Sequence, residues 1–471
     1  MTQPNSASTF DFRQAVIGAD QPVTLLDGSS VPYLNLDNAA STPALRAVKD
    51  ALDAALPWYS SVHRGSGFKS LLSTELYEQA RRIVLDFVGA DPAGDCVMFS
   101  KNTTEAINHL ARIYPFRPGD QVLSTGLEHH SNDLPWRART EVLHAAVLAN
   151  GALDLDDFEA KLAGSAGRVK LVAVSGASNV TGYLPPIHDL AELAHRHGAR
   201  IMVDCAQLLP HRQICMGPID TPRRLDFIAF SAHKVYAPFG SGGLVGPAAF
   251  FDQLEPDDRG GGTVEMVTLS EVTWTGAPER DEAGSPNVLG ALALAAALRF
   301  LGEFGMDAVA AHEAELTAYA LRRLPRVPGL HLYGLTDPDS AAQRLGVIPF
   351  TMSGLAHGQV AAVLGFEAGI GVRDGCFCAH PYILRLLGVT NEEYQAYHQR
   401  VLNHNRADLP GLVRMSFGCY NTLADVDRFA AALEAIAAGD FHGDYIVHPR
   451  SGSYYPRGFD PSAALAQFSL I

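Results

Sequence analysis

One stretch of the chain decides its fold: Leu225-Asp-Phe-Ile-Ala-Phe-Ser-Ala-His-Lys234. It begins as an apolar run rich in β-forming residues, which predicts a buried strand, and it ends in a His-Lys pair. A lysine that directly follows a buried strand is partly removed from water, which lowers the pKa of its amine. Because a neutral amine is a nucleophile, Lys234 is a candidate for Schiff-base chemistry.

A second predicted strand, upstream of the first, also ends in a charge. It reads Ala199-Arg-Ile-Met-Val-Asp204 and is followed by Cys205-Ala-Gln207. In a parallel sheet both charges lie at the carboxyl edge, where open α/β folds bind ligands. An acid and a lysine that converge there suit a pyridine cofactor, because the acid keeps the ring nitrogen protonated while the lysine binds the aldehyde.

The alternation of strands and helices divides the chain. From about 95 to 250 it predicts a mostly parallel sheet covered on both faces. After the Ala-rich helix 288–301 the rhythm changes, and helices 307–323 and 358–367 with strands 330–334, 344–352 and 410–418 predict a smaller α+β unit. We therefore expect four parts: an N-terminal arm (1–32), a large domain (33–298), a small C-terminal domain (299–439) and a C-terminal tail (440–471).

Two further strand ends carry polar residues. The predicted strand Cys96–Ser100 precedes a helix start at Thr103-Thr104, which offers N–H groups and hydroxyls to a phosphate, although every capped helix offers the same geometry. The strand that starts at Gln121 is followed by His129 and His130. Two adjacent histidines there can serve as metal ligands or as a platform on which a ring stacks. No third ligand lies at metal-site spacing, so we predict no metal.

Composition excludes some classes of partner. The 471-residue chain has a formal charge of −15, which argues against nucleic acid or an anionic membrane as the main partner. Its first residues show no signal peptide, and its longest apolar stretch, 291–298, is too short to span a bilayer. Six cysteines are too few for a disulfide scaffold of this size, which predicts a cytoplasmic protein.

Asp204-x-x-Gln207 followed by Ser231-x-His-Lys234 resembles the class V family of pyridoxal-phosphate (PLP) enzymes. Matching motifs run from Tyr33 to about Leu433, and they are most similar to the cysteine desulfurase and selenocysteine lyase branch. The resemblance implies PLP fold type I: a large domain with a mostly parallel sheet and a smaller α+β C-terminal domain. It also implies an amino-acid substrate, a homodimer and a possible protein that accepts sulfur.

The resemblance assigns a role to each matching residue. Lys234 would bind PLP covalently, Asp204 would meet the ring nitrogen, Gln207 the ring hydroxyl, and His129 would stack on the ring. The other implied roles fall into four groups: phosphate binding by Thr103, Thr104, Ser231 and His233; phosphate binding in the other subunit by Ser285; substrate binding by Asn179, Arg414 and Arg373; and an active-site entrance at His63 and Arg64.

One more match concerns the chemistry. The segment Val372-Arg-Asp-Gly-Cys-Phe-Cys-Ala-His-Pro381 aligns with the family's cysteine loop and makes Cys378 the sulfur-accepting thiol. In a desulfurase that thiolate attacks the substrate sulfur, keeps it as a persulfide and releases alanine. The chain departs from the family in having Asn102 for a glycine, Cys376-Phe377 before the cysteine, and a longer segment at about 384–408.

These departures leave alternatives open. Cys378 could be a small buried residue or one half of a redox pair with Cys376, and Arg414 could form a structural ion pair. Two rival activities share the cofactor without using Cys378: a C–S lyase, and a class V epimerase or aminotransferase. A non-catalytic interaction protein on the same fold is disfavoured, because Asp204, Lys234 and Arg414 are all retained.

Overall fold

The first described elements precede the strands of the large sheet. The computed structural model describes residues 12–63, 65–407, 409–466 and 468. The first elements are α1 (Phe12–Ala15), β1 (Pro22–Thr24), β2 (Ser30–Pro32), β3 (Leu34–Asn35), α2 (Arg46–Ala55) and α3 (Phe68–Phe87). β1 and β2 form an antiparallel hairpin, whereas β3 pairs in parallel with a strand far along the chain.

A seven-stranded sheet forms the larger layer. Its strands are β4 (Asp95–Ser100), β5 (Gln121–Thr125), β6 (Glu141–Ala145), β7 (Val169–Ser175), β8 (Arg200–Asp204), β9 (Phe227–Ser231) and β10 (Gly242–Pro247). Their spatial order is β4-β10-β9-β8-β7-β5-β6, and only β10 runs antiparallel to its neighbours. The intervening helices are α4 (Thr103–Ile113), α5 (Leu134–Arg137), α6 (Leu155–Gly164), α7 (Ile187–Arg196) and α8 (Ala248–Phe251).

The apolar runs explain why this sheet is central. Every residue of β5 and β9 is buried, and only Lys170 of β7 is exposed. Strands buried on both faces are typical of a parallel sheet covered by helices. The predicted α/β architecture with a mostly parallel sheet is therefore confirmed. Six of the strands run in one direction, so their polar carboxyl ends meet at one edge.

The C-terminal half builds a second, antiparallel sheet. It follows the hairpin β11 (Val264–Val267) and β12 (Val272–Trp274) and the helices α9 (Val288–Phe304) and α10 (Met306–Arg323). Four strands form the sheet: β13 (Leu330–Leu332), β14 (Val347–Met352), β16 (Arg373–Gly375) and β17 (Leu412–Ser416). Their spatial order is β13-β14-β17-β16. The other elements are α11 (His357–Ala368), β15 (Ile370–Gly371), α12 (His380–Leu386), α13 (Asn391–Leu402), α14 (Leu423–Ala438), β18 (Tyr445–Val447), β19 (Tyr454–Pro456) and α15 (Ser462–Leu465).

Some predicted boundaries differ from the observed ones. The strand predicted at 344–352 begins only at Val347, because the buried Arg344 side chain turns back to donate hydrogen bonds to the carbonyls of Leu335 and Val347. Its neighbour, predicted at 330–334, ends at Leu332, and the strand predicted within 410–418 covers Leu412–Ser416. The four domain boundaries stay a prediction.

The long segment predicted at 384–408 lies on the surface over its described residues, 384–407. Its helix α13 has no buried residue. After the helix, the Arg406 N–H donates to the Pro449 carbonyl at 2.7 Å and connects the segment to the C-terminal tail. Of the helices that the structure describes, none alone is long and apolar enough to cross a membrane. One pair bent by 78°, Val288–Phe304 with Met306–Arg326, meets those criteria only when taken together.

Candidate active site

A cavity of about 330 Å³ opens where the carboxyl ends of the parallel strands meet the second sheet. The large sheet supplies one wall and the segment around β16 and β17 supplies the other. Because strand ends from several elements converge here, residues far apart in sequence become neighbours. The predicted residues that line the cavity are Thr103, Thr104, His129, Asn179, Asp204, Gln207, Ser231, His233, Lys234, Arg373, Cys378 and Arg414.

One corner of the cavity is built from hydroxyl groups at the start of α4. The Thr103 N–H donates to Ser231 Oγ at 2.8 Å, and the two hydroxyls of these residues lie 2.6 Å apart. Thr104 Oγ1 pairs in the same way with Ser131 Oγ at 2.7 Å. Hydroxyls and the N-terminus of an 11-residue helix together favour an anion such as a phosphate.

Lys234 and Asp204 form the floor of the cavity. Burial lowers the pKa of the Lys234 amine to about 8, while the charge of Asp204 opposes that shift. Burial likewise raises the pKa of Asp204, whose Oδ1 accepts the Ala206 N–H at 2.9 Å. Among the described residues, the Lys234 amine forms no hydrogen bond or ion pair. The lysine is therefore free to act as a nucleophile or base.

His129 and Gln207 border the same floor with defined hydrogen bonds. The Ser131 N–H donates to His129 Nδ1 at 3.1 Å, which leaves the proton of the neutral ring on Nε2. Burial and then the Lys234 charge lower the pKa of His129 to about 3, so the ring is neutral. Gln207 Nε2 donates to the Ala39 carbonyl at 2.7 Å, and its amide oxygen accepts no hydrogen bond from the residues described.

Two arginines share one carboxylate at the opposite wall. Arg373 and Arg414 are direct cross-strand partners, an arrangement in which like charges repel. Asp37 relieves this repulsion, since its oxygens lie 2.8 Å from Arg373 and 3.0 Å from Arg414. Burial lowers the pKa of Arg414 to about 10, and its buried Nε has no partner within the described chain. Arg414 also lines the cavity, where a guanidinium suits a ligand carboxylate.

Cys378 completes the cavity from the loop after β16. It is exposed, and its carbonyl accepts the His130 N–H at 2.7 Å. Asn179 Nδ2 donates to the Phe377 carbonyl at 2.7 Å, so Asn179 holds this loop as well as lining the cavity. The neighbouring Cys376 is half-buried, its Sγ contacts the Pro410 carbonyl at 3.3 Å, and burial raises the pKa of its thiol to about 11.

Two predicted residues, Ser285 and His63, do not line the cavity, and a third lies outside the described residues. Ser285 is exposed outside it, and Arg64 lies outside the described residues. His63 is exposed with φ 69°, and its ring belongs to a group with Glu78 and Glu279 whose potential ligand atoms all lie within 4.8 Å of one another. The roles predicted for these residues stay predictions.

Sequence reasoning missed several residues that the structure brings to the site. Asp37, Ser131, Ser175 and Phe377 carried no role, although each stands within a few positions of a strand end or of a predicted residue. Ser175 ends β7, so the strand-end argument that found Asp204 could have found it. Asp37 also follows a short strand, but its role depends on two arginines more than 330 positions away, and that pairing gave no signal in the sequence.

The fold and the cavity together define a class: an α/β enzyme with a desolvated lysine, a buried acid and two anion-binding corners. Comparison with known proteins gives the family. The model of the family described as aminotransferase class-V matches residues 34–429. The chain belongs to this family.

Several relatives carry the name cysteine desulfurase. One from Dickeya dadantii is 35% identical over 430 residues, which cover 89% of this chain and 96% of that protein. A probable cysteine desulfurase from Mycolicibacterium paratuberculosis is 34% identical over 91% of this chain, but the match spans only 59% of that longer protein.

Solved structures show the same architecture. A cysteine desulfurase from Thermococcus onnurineus matches with a TM-score of 0.76 and 33% identity, covering 86% of this chain and 95% of that one. The cysteine desulfurase CsdA from Escherichia coli matches with a TM-score of 0.73 and 28% identity, covering 92% and 98%. The expected PLP fold type I is therefore confirmed.

The protonation of Lys234 provides a first test. In the cofactor-free protein we expect the rate at which Lys234 reacts with an amine-modifying reagent to reach half its maximum near pH 8, because burial disfavours the lysine cation. Asp204→Asn should move this midpoint to lower pH, since the Asp204 charge raises the lysine pKa. Peptide mapping by mass spectrometry measures both.

Lys101 is the internal control for this titration. Its hydrogen bond with Glu105 raises the pKa of its amine, so Lys101 should require a higher pH for modification in both proteins. Lys234 titrating together with Lys101 would contradict the assigned environment.

Proposed function

We propose that this protein is a PLP-dependent cysteine desulfurase that transfers the sulfur of L-cysteine, or of a related sulfur or selenium amino acid, to Cys378 and releases alanine. One observation carries the proposal: the Cys378 side chain lines the same cavity as Lys234 and Arg414. A lysine for the Cα proton, an arginine for the carboxylate and a thiol for the sulfur are the groups that this reaction needs.

The residues of the cavity fit PLP. The hydroxyl corner of Thr103, Thr104 and Ser231 would hold the phosphate, and Asp204 would face the ring nitrogen. His129 would stack on the ring in its neutral form, and the unpaired amide oxygen of Gln207 would accept from the ring hydroxyl. When bound, PLP supplies an electron sink for the charge that develops at the substrate Cα.

The substrate carboxylate would bind at the arginine wall. Arg414 Nε is buried and unpaired, while its Nη1 donates to the Asn179 carbonyl at 2.9 Å and its Nη2 pairs with Asp37. These contacts fix the guanidinium plane before the substrate arrives. A fixed plane orients the substrate so that its Cα–H bond points towards Lys234, whose neutral Nζ accepts the proton.

The sulfur step uses Cys378. Its thiolate forms an S–S bond with the substrate sulfur while the C–S bond breaks. The overall change is L-cysteine plus the Cys378 thiol to alanine plus a Cys378 persulfide, which balances without an oxidant. The arginines that line the same cavity give the electropositive setting typical of nucleophilic cysteines. Since Cys378 is exposed, a small thiol or an acceptor protein can remove the sulfur.

The second cysteine serves as a matched control for this assignment. Cys378→Ala should keep Cα proton exchange of L-cysteine, because Lys234 and Asp204 are unchanged. Its rate of alanine formation should fall by a factor of about 10² or more, which is the scale on which a nucleophile contributes. Cys376→Ala should cost less than about threefold, since its half-buried thiol donates to the Pro410 carbonyl and does not line the cavity. Alanine and sulfide release in the two variants are measured with and without dithiothreitol.

Full sulfur release from Cys378→Ala would show that the thiol is not the acceptor. A C–S lyase that eliminates the sulfur group would then replace the desulfurase. Formation of the D-amino acid or of a keto acid would instead indicate the epimerase or the aminotransferase.

We also propose a cytoplasmic homodimer with shared active sites. Large apolar side chains at and just before the start of α3 are exposed, with Trp58 46%, Phe68 73% and Leu71 58% accessible, and such patches mark protein interfaces. Ser285 is exposed outside its own cavity, which agrees with a role in the partner's phosphate corner. The six cysteines are free thiols, which suits a reducing compartment.

The dimer proposal is tested at Ser285. Ser285→Ala should weaken PLP binding about tenfold, the loss expected for one hydrogen bond to a charged phosphate, while the protein stays dimeric. Ser29→Ala, which changes a serine in the β1–β2 turn, should leave PLP affinity unchanged. Fluorescence titration with PLP and analytical ultracentrifugation measure the two properties. A fully active monomer would refute the shared site.

A further inference from the structure

Two loops of the cavity are joined through one histidine. The His130 N–H donates to the Cys378 carbonyl at 2.7 Å. In the other direction, the His380 N–H donates to His130 Nε2 at 3.3 Å. His130 thus contacts the cysteine loop on both sides of Ala379, once through its backbone and once through its ring.

The rings of the two histidines reinforce this connection. The His130 and His380 rings are stacked with centroids 4.9 Å apart and an interplanar angle of 7°. His380 Nδ1 also lies 3.2 Å from His130 Nε2. Neither histidine is among the residues that line the cavity described above.

The cysteine loop needs such support because its backbone is strained. Phe377 and Cys378 have φ values of 47° and 56°, in the left-handed region that residues other than glycine rarely adopt. Two consecutive residues in this region persist only where their surroundings hold them. Asn179 holds the Phe377 carbonyl and His130 holds the Cys378 carbonyl. Loss of either contact favours relaxation of the loop.

We propose that His130 is a positioning residue that latches the cysteine loop through its Nε2 atom, so that the Cys378 thiol faces the cavity. Release of the His380 N–H from Nε2 lets the strained segment relax, so that the Cys378 thiol no longer faces the cavity. This inference rests on the proposed function, because it assigns the latch to the step in which Cys378 accepts sulfur. It adds a residue that does not itself touch the substrate.

The latch requires a neutral His130 ring with an unprotonated Nε2. Burial lowers the pKa of His130, and the neighbouring His380 and Arg137 lower it further, whereas Asp133 opposes them. The pKa of His380 is also lowered, by burial and by Arg406. Both rings are therefore neutral near pH 7, the state in which His130 can accept.

Three phenylalanine variants separate the acceptor atom from ring stacking. His130→Phe keeps a planar ring and the backbone donor to Cys378 but removes Nε2. His380→Phe keeps both the stacking surface and the backbone N–H that donates. His398→Phe is the control, because His398 stacks on Tyr394 at 6.1 Å and 2° in the exposed helix α13, away from the loop.

Amide hydrogen exchange of the peptide 376–381 in the PLP-loaded protein tests the latch directly. His130→Phe should raise the exchange of this peptide about five- to tenfold, as expected for loss of one hydrogen bond. His380→Phe and His398→Phe should keep the wild-type exchange. Unchanged exchange in His130→Phe would overturn the latch, and an equal increase in His380→Phe would overturn the role of Nε2.

A kinetic measurement then connects the latch to sulfur transfer. In a single turnover with L-cysteine, His130→Phe should form alanine about tenfold more slowly than wild type, the scale of one lost hydrogen bond, while Cα proton exchange stays within about twofold. A variant that is merely misfolded would lose both reactions, and an unchanged alanine rate would refute the positioning role. If the wild-type protein forms no alanine, the proposed function fails, and the exchange measurement still decides whether the latch exists.

Discussion

The structure depends on how buried charges are compensated around one cavity. Burying a charged group is costly unless it is paired or neutralised. Lys234 meets this constraint by losing its proton readily, with a pKa near 8, and Arg414 meets it by pairing with Asp37. The same constraint raises the pKa of Asp204, because burial outweighs the opposing effects of the Ala206 N–H and the Lys234 charge. A ligand with charged groups at the matching positions would therefore stabilise each of these residues.

The cavity also makes the two sheets interdependent. Asp204 and Lys234 come from the parallel sheet, whereas Arg373, Cys378 and Arg414 come from the antiparallel sheet and its loop. The N-terminal segment contacts both sides. Asp37 forms an isolated β-bridge with Ser416 and its side chain pairs with both arginines, while the Ala39 carbonyl accepts from Gln207 and the Thr42 N–H donates to the His233 carbonyl. A change in the packing between the sheets would therefore alter the distance between the lysine and the thiol.

Much of this site could be predicted from the sequence because polar residues at strand ends are a local signal. Asp204 and Lys234 each follow an apolar run, and parallel topology alone brings such ends together. The pairing of Asp37 with two arginines could not be predicted, since it joins segments that only the folded chain brings into contact. The same holds for His130, which the sequence places at a strand end and which the fold brings into contact with the cysteine loop.

The central claim is that the desolvated amine of Lys234 binds PLP in this cavity. The most direct measurement is to load the protein with PLP, reduce it with borohydride and map the modified peptide by mass spectrometry. The account predicts a single PLP adduct, on Lys234, and a yellow protein before reduction. An adduct on another lysine, or a protein that takes up no PLP, would contradict it.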